Sequence, residues 1–343
     1  MSGIAVEFDN VNIVFGDRPE RALPLMDQGL SRSEIQQQTG QILGVHNCSL
    51  KVAEGEILVL MGLSGSGKST LLRAVNGLNS VCRGAVTVRD GDWTCEVGGA
   101  SRQDLLKVRR ECVAMVFQQF GLLPWRTVRE NVGLGLELAG RSEADIRTAV
   151  DEQLALVGLS ERAEARVGEL SGGMQQRVGL ARAFVTDAPI LLMDEPFSAL
   201  DPLIRTRLQD ELLDLQSKLK RTIIFVSHDL DEAFKIGNRI ALMEGGRIVQ
   251  CGTAREIIAN PASDYVADFV AHMNPLEVLR ASDVMEPGSV RAPNAPEIGP
   301  DATIRAVMER LQDKAALAVV DGGRTLGRIS REGVMEKLLN PRG

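Results

Sequence analysis

The run Gly62-Leu63-Ser64-Gly65-Ser66-Gly67-Lys68-Ser69 constrains this chain more than any other feature. It has the form Gly-x4-Gly-Lys-Ser, follows the all-apolar segment Ile57–Met61 and precedes a helical run over 70–75. A strand that feeds a glycine-rich turn into a helix is the layout of a phosphate-binding loop, or P-loop. Its glycines let backbone N–H groups turn inward around the β- and γ-phosphates, and the helix N-terminus adds partial positive charge. Lys68 is expected to reach those phosphates, and the Ser69 hydroxyl to ligate Mg²⁺. Three further short apolar runs, 113–117, 190–193 and 222–226, read as central strands of one buried parallel sheet, so the chain belongs to the α/β class.

A phosphate loop that hydrolyses its ligand needs a carboxylate at the end of a buried strand to hold the metal. The segment Ile190-Leu191-Leu192-Met193-Asp194-Glu195 supplies it. Asp194 is expected to orient Mg²⁺ through water, and Glu195 to polarise the attacking water as general base. An Asp-Glu pair alone is common on solvated surfaces; four apolar residues leading directly into this one set it apart.

Composition narrows the remaining classes. A net charge of −7 argues against a nucleic-acid partner, which would need a basic face. The five cysteines are scattered without a CxxC pair, which suits reduced thiols in a cytosolic protein. The opening residues carry no basic and apolar leader, and no apolar run approaches the ~20 residues of a membrane helix. Any link to a membrane is therefore expected through a partner.

Two stretches interrupt the α/β pattern. Residues 17–42 look inserted between strand-like pieces, with Ser31, Glu34 and Gly40 marking the cap, first turn and stop of a short helix. After Asn274 the composition changes, six of the 13 prolines falling there, several of them between Pro287 and Pro300. This reads as a linker. Beyond it, Ile304, Val307, Met308 and Leu311 mark a helix face; 316–320, the turn 321–323 and 325–329 read as a hairpin, and 332–339 as a closing helix. The expected domains are 1–275, with a helical subdomain at about 118–180, and 276–343.

Within the first domain, Leu170-Ser171-Gly172-Gly173-Met174-Gln175-Gln176-Arg177 resembles the signature motif of the ABC ATPases. Further motifs follow that family's order: Gln118 resembles the Q-loop glutamine, Ser198-Ala199-Leu200-Asp201 the D-loop, and His228 the switch histidine. The resemblance covers roughly residues 5–270. It implies a P-loop NTPase fold of the ABC type, a mixed sheet core plus helical subdomain, and an ATP hydrolase. It further implies that ATP is held by Gly62 through Thr70 (Gly62, Leu63, Ser64, Gly65, Ser66, Gly67, Lys68, Ser69, Thr70), with Gln118 and Phe15. Glu195, His228 and Lys68 are the expected catalytic set, and Ser69, Gln118 and Asp194 the Mg²⁺ set. Ser171, Gly172, Gly173 and Gln175, with Asp201, are expected to serve the ATP of a second copy in a head-to-tail homodimer. For the adenine-stacking position Phe15 and Leu43-Gly44 both remain open. His46 and His272 read as structural.

The insert, with Leu25-Met26-Asp27-Gln28-Gly29, resembles the ATP-binding subunits of quaternary-amine importers. The stretch from Phe117 to Arg126 resembles their choline branch, with glycine betaine or proline betaine import, or a soluble non-transport ABC role, as alternatives. Such a subunit would lie on the cytoplasmic face of the inner membrane, with transmembrane permease subunits as partners and a substrate-binding protein acting indirectly. Trp125 is a candidate permease contact, ordinary packing being the alternative. A cation such as choline needs an aromatic cage; with 3% aromatics this chain is expected to leave substrate selection to other subunits. The segment from about 282 to 339 resembles a single CBS motif, a small α+β unit that either pairs across the homodimer or is a structural remnant.

Overall fold

The computed structural model describes residues 3–118, 121–198, 200–271, 275–288, 295–312 and 314–339. Gln119 and Phe120 of the choline-like stretch, Ala199 of the D-loop, His272 and Pro293 lie outside the described residues. By its internal contacts the chain divides into Met1–His228 with Ala241–Ile248, and Asp229–Ile240 with Val249–Gly343. The compositional change near residue 276 falls inside the second of these units.

In the first unit, two long strands, β1 (Ile4–Phe15) and β2 (Ile42–Ala53), pair antiparallel, with Phe15 opposite Ile42. β3 (Ile57–Met61) starts a different sheet. The chain then returns to β1 with β4 (Arg83–Asp90) and β5 (Trp93–Glu96), giving a sheet of order β2-β1-β4-β5. β6 (Val113–Val116), β7 (Ile190–Asp194) and β8 (Thr222–Val226) join β3 in parallel, in the order β3-β8-β7-β6. Every residue of β3, β7 and β8 is buried, which explains why these strands are continuous apolar runs rather than alternating ones. Two further strands, β9 (Arg239–Glu244) and β10 (Arg247–Gly252), contribute residues 241–244 and 247–248 to this unit, next to β3 in the strand order.

Register places the ends of the parallel strands side by side: Leu60 lies opposite Val226, Val226 opposite Asp194, and Val116 opposite Met193. The loops leaving these ends therefore open at one edge, where open α/β sheets gather their functional residues.

The insert holds two helices, α1 (Leu23–Asp27) and α2 (Arg32–Thr39). Ser31 and Glu34 form a reciprocal capping box at the start of α2, and Gly40 ends it in the left-handed region at φ 70°. Ala22, Met26 and Ile35 pack on Val14 and Leu43, so the insert is anchored on β1 and β2. The P-loop runs into α3 (Lys68–Leu72), and α4 (Arg102–Lys107) precedes β6. A helical subdomain follows: α5 (Val128–Leu138), α6 (Glu143–Leu156) and α7 (Gly172–Phe184) share a core of Val132, Val150, Leu154 and Val178. α8 (Pro202–Leu219) leads into β8.

In the second unit, the tail builds a small sheet from Glu286–Pro287, Arg324–Ser330, Ala316–Asp321 and Glu297–Ile298. Two helices, Ile304–Leu311 and Arg331–Leu339, accompany it, and Leu279, Ile304, Val307, Leu317, Ile329 and Val334 belong to its core. Among the described residues no helix is long and apolar enough to cross a membrane.

Candidate active site

The P-loop holds its shape through glycine conformations that other residues adopt only with strain. Gly62, Gly65 and Gly67 have φ of 141°, 77° and 102°. At Gly62 a Cβ would stand 2.1 Å from the Met243 carbonyl oxygen, so only glycine fits there. Lys68 is 6% exposed, and its Nζ donates to the carbonyls of Gly62 (2.9 Å) and Leu63 (3.1 Å). Burial lowers the pKa of this ammonium, while Glu195 and Asp194 act in the opposite direction. Ser66 is also buried, and its Oγ has no hydrogen-bond partner among the described residues.

β7 delivers the acids. Asp194 is fully buried, with Oδ1 accepting from the Ser69 hydroxyl at 2.6 Å and Oδ2 from Arg73 Nη2 at 2.8 Å. Glu195 is the next residue, but the strand has ended and its φ is 49°. That left-handed turn lifts its carboxylate into the open edge. There Oε2 accepts from Gln118 Nε2 at 3.0 Å and lies 3.3 Å from His228 Nδ1. Three loops, after β6, β7 and β8, thus converge on one carboxylate oxygen.

These groups face a cavity of about 650 Å³. Ser64, Gly65, Gly67, Lys68, Ser69 and Thr70 line it along the P-loop, together with Gln118, Glu195 and His228. Phe15, Leu43 and Gly44 line it as well. A Cβ on Gly44 would stand 2.9 Å from the Phe15 ring, so the two alternatives for the adenine position belong to one wall. Gly62, Leu63 and Ser66 support the loop without lining the cavity, and Leu63 is 63% exposed.

The signature residues are elsewhere. Ser171 caps α7 by accepting from the Met174 N–H, and Gly172 and Gly173 form its first turn. None of them lines the cavity, nor does Asp201, which caps α8 through the Ile204 N–H. Gln175 Nε2 is spent within the helical subdomain, on the carbonyls of Val167 and Leu170, both at 3.2 Å. Its neighbour Gln176, 1% exposed, reaches the site instead: Nε2 donates to the carbonyls of Glu195 and Pro196.

Arg32, Arg73 and Gln176 escape a reading by motif. Each sits beside or inside a motif, but its contact is with a residue distant in sequence, and no local spacing announces that. Trp125 is 67% exposed, so its ring is not packed into the core. His46 is 3% exposed, with Nε2 3.1 Å from Arg247 Nη2.

Known proteins resemble this chain in sequence and in fold. The family model described as ABC transporter matches residues 45–198. The glycine betaine/proline betaine transport system ATP-binding protein ProV of Escherichia coli is 44% identical over 346 residues, covering 99% of this chain and 84% of that protein. The glycine betaine/carnitine transport protein GbuA of Listeria monocytogenes is 48% identical over 285 residues, or 83% of this chain and 70% of that one. The trimethylamine N-oxide transport protein TmoW of Ruegeria pomeroyi is 41% identical over 341 residues, or 99% and 98%. Among solved structures, the dimeric ATP-binding cassette MJ0796 bound to ADP and Pi superposes with a TM-score of 0.62 at 30% identity. It matches 72% of this chain and 98% of that one.

Proposed function

Because this chain belongs to the ATP-binding subunits of glycine betaine/proline betaine-type ABC importers, we propose that its cavity binds ATP and hydrolyses it at Glu195 to energise uptake of a methylated amine. The observation that carries the reading is the convergence of Gln118, Glu195 and His228 at the mouth of a P-loop cavity. Glu195 acts as general base on the attacking water. Gln118 and His228 hold its carboxylate in place, and the left-handed turn at Glu195 aims it out of the sheet. Lys68, already dehydrated, trades two carbonyl bonds for phosphate oxygens.

The donors beside the P-loop suit a magnesium ion. Ser69 and Asp194 present oxygen atoms in direct contact, Gln118 adds an amide, and Mg²⁺ takes one or two such protein ligands together with phosphate and water. When bound, the ion neutralises charge developing on the phosphates. Arg73 keeps the buried Asp194 charge-compensated and fixes its direction.

The signature set at the start of α7 does not line the chain's own cavity, and in a head-to-tail dimer it would complete the site of a second copy; that the similar MJ0796 cassette is dimeric supports a paired state. Exposed Trp125 supports docking on permease subunits, and peripheral attachment to the membrane follows from that docking. For the transported compound, the relatives' names carry glycine betaine, proline betaine, carnitine and trimethylamine N-oxide. They support the betaine reading, and the choline reading rests on the stretch 117–126 alone.

One experiment tests the whole. In cells lacking the native chain, the wild type is expected to restore uptake of labelled glycine betaine more than of labelled choline. Glu195→Gln is expected to restore neither, while the purified variant binds ATP normally and turns over at least about 100-fold more slowly. Undiminished hydrolysis removes Glu195 as base; a preference for choline reverses the substrate assignment.

A further inference from the structure

The insert at 17–42 has no part in the mechanism above, yet one of its side chains reaches the P-loop. Arg32, the first residue of α2, turns inward rather than to solvent. Its Nη1 donates to the Gly65 carbonyl at 2.7 Å, and its Nη2 to the Gly44 carbonyl at 2.6 Å. Its Nε is buried and has no hydrogen-bond partner among the described residues. A Cβ on Gly246 would stand 2.6 Å from Nη2, so the guanidinium is closely seated. One turn further along α2, Gln36 lines the same cavity.

We propose that Arg32 is a positioning residue for ATP binding, through which the insert sets the P-loop in its phosphate-receiving shape; this rests on the reading of the cavity as an ATP site. The loop does not choose that shape by itself. Gly65 has φ 77° and open space where a Cβ would be, so its peptide has wide freedom to lose. Arg32 holds the Gly65 carbonyl from outside, and the Gly246 N–H holds the next one, Ser66, at 3.1 Å. In a trans peptide C=O and N–H point opposite ways. Two successive carbonyls drawn outward therefore turn the N–H groups of Ser66 and Gly67 the other way. The first closes a turn on the Leu63 carbonyl at 3.1 Å, and Gly67 lies in the cavity wall. The other end of the fork, on Gly44, ties the loop to the wall that Phe15 and Leu43 share.

Charge points the same way. Both acceptors of Arg32 are neutral carbonyls, and no carboxylate among the described residues pairs with it. Burial lowers its pKa, but a guanidinium stays protonated. A half-buried cation without a counter-charge, on the wall of an anion-binding cavity, is stabilised when a polyphosphate arrives. Lysine is a poor substitute, because one ammonium on a flexible stem does not hold two carbonyls from separate segments in a fixed fork.

The test measures equilibrium binding of a fluorescent ATP analogue and steady-state hydrolysis with the full-length protein, in Arg32→Ala, Arg32→Lys and, in parallel, Lys68→Ala. Arg32→Ala is expected to raise Kd and KM together by about ten-fold or more, with kcat falling much less. Arg32→Lys falls between the two, and remains informative if the alanine variant does not fold. If both Arg32 variants bind the analogue like wild type while Lys68→Ala does not, the inference is wrong and the ATP site stands. If Lys68→Ala also binds like wild type, the ATP-site reading itself falls.

Discussion

Glu195 occupies a backbone conformation that costs a residue with a side chain of order 1 kcal/mol. Its surroundings impose it. The Glu195 N–H is held by the Val226 carbonyl at 3.1 Å, and its own carbonyl accepts from the Ser198 hydroxyl at 3.0 Å and from Gln176. The side chains proposed to do the chemistry were legible one by one, because Lys68, Asp194, Glu195 and His228 sit in ordered motifs. The side chains that hold them were not. Gln175 and Gln176 are indistinguishable in sequence, and only the approach of α7 to the end of β7 makes the second the one that matters.

His46 shows the opposite case, a residue read as structural whose effect is on stability. Burial and the neighbouring Arg247 push its pKa down to about 4 from an ordinary 6.5. The folded chain thus refuses a proton that the unfolded chain takes up. Stability from this residue is present above pH 6.5 and is lost as pH falls from there towards 4. Between pH 7 and pH 5 the loss should be about 1–2 kcal/mol. In His46→Gln, which keeps an acceptor for Arg247, the unfolding free energies from denaturant titrations at the two pH values should lie closer together by that amount. An identical pH dependence in both proteins rules the explanation out.

At the scale of elements, what was legible is what local physics decides. Ser31, Glu34 and Gly40 delimit α2 because a cap, a first-turn acid and a left-handed stop each act within a few residues. The strands of the parallel sheet were legible because burial on both faces leaves only apolar residues. The antiparallel sheet of β1, β2, β4 and β5 was not, since its strands mix buried and exposed positions and are joined by register alone. The P-loop lies between these cases: its pattern is local, but the reason for its first glycine is the carbonyl of Met243 on β9. Gly62→Ala should therefore cost about 2 kcal/mol or more and abolish ATP binding. Gly98→Ala, at a site with open space and ordinary φ, should change neither by a measurable amount. Comparable melting and ATP affinity in the two variants would show that the loop relaxes around the added methyl.

At the scale of the molecule, the proposed reading divides the hydrolytic site into a cis half around the P-loop cavity and a trans half, the signature set, that does not line that cavity. Lys68 lines the cavity; Ser171 caps a helix whose first turn does not. In the proposed head-to-tail dimer each trans half would complete the partner's cavity, so that every site would take one surface from each copy. This makes two different defects separable. Lys68→Ala destroys the cis half and leaves the signature intact; Ser171→Arg blocks the signature and leaves the P-loop intact. Each variant alone should be inactive. In a one-to-one mixture, heterodimers assemble one site in which both defects meet and one in which both halves are wild type. About half of the dimers are mixed and one site in each is intact, so activity should return to about a quarter of wild type. If each chain instead completed its site with its own signature, no pairing of the two variants would build an intact site. Hydrolysis by the mixture would then stay at the sum of its parents.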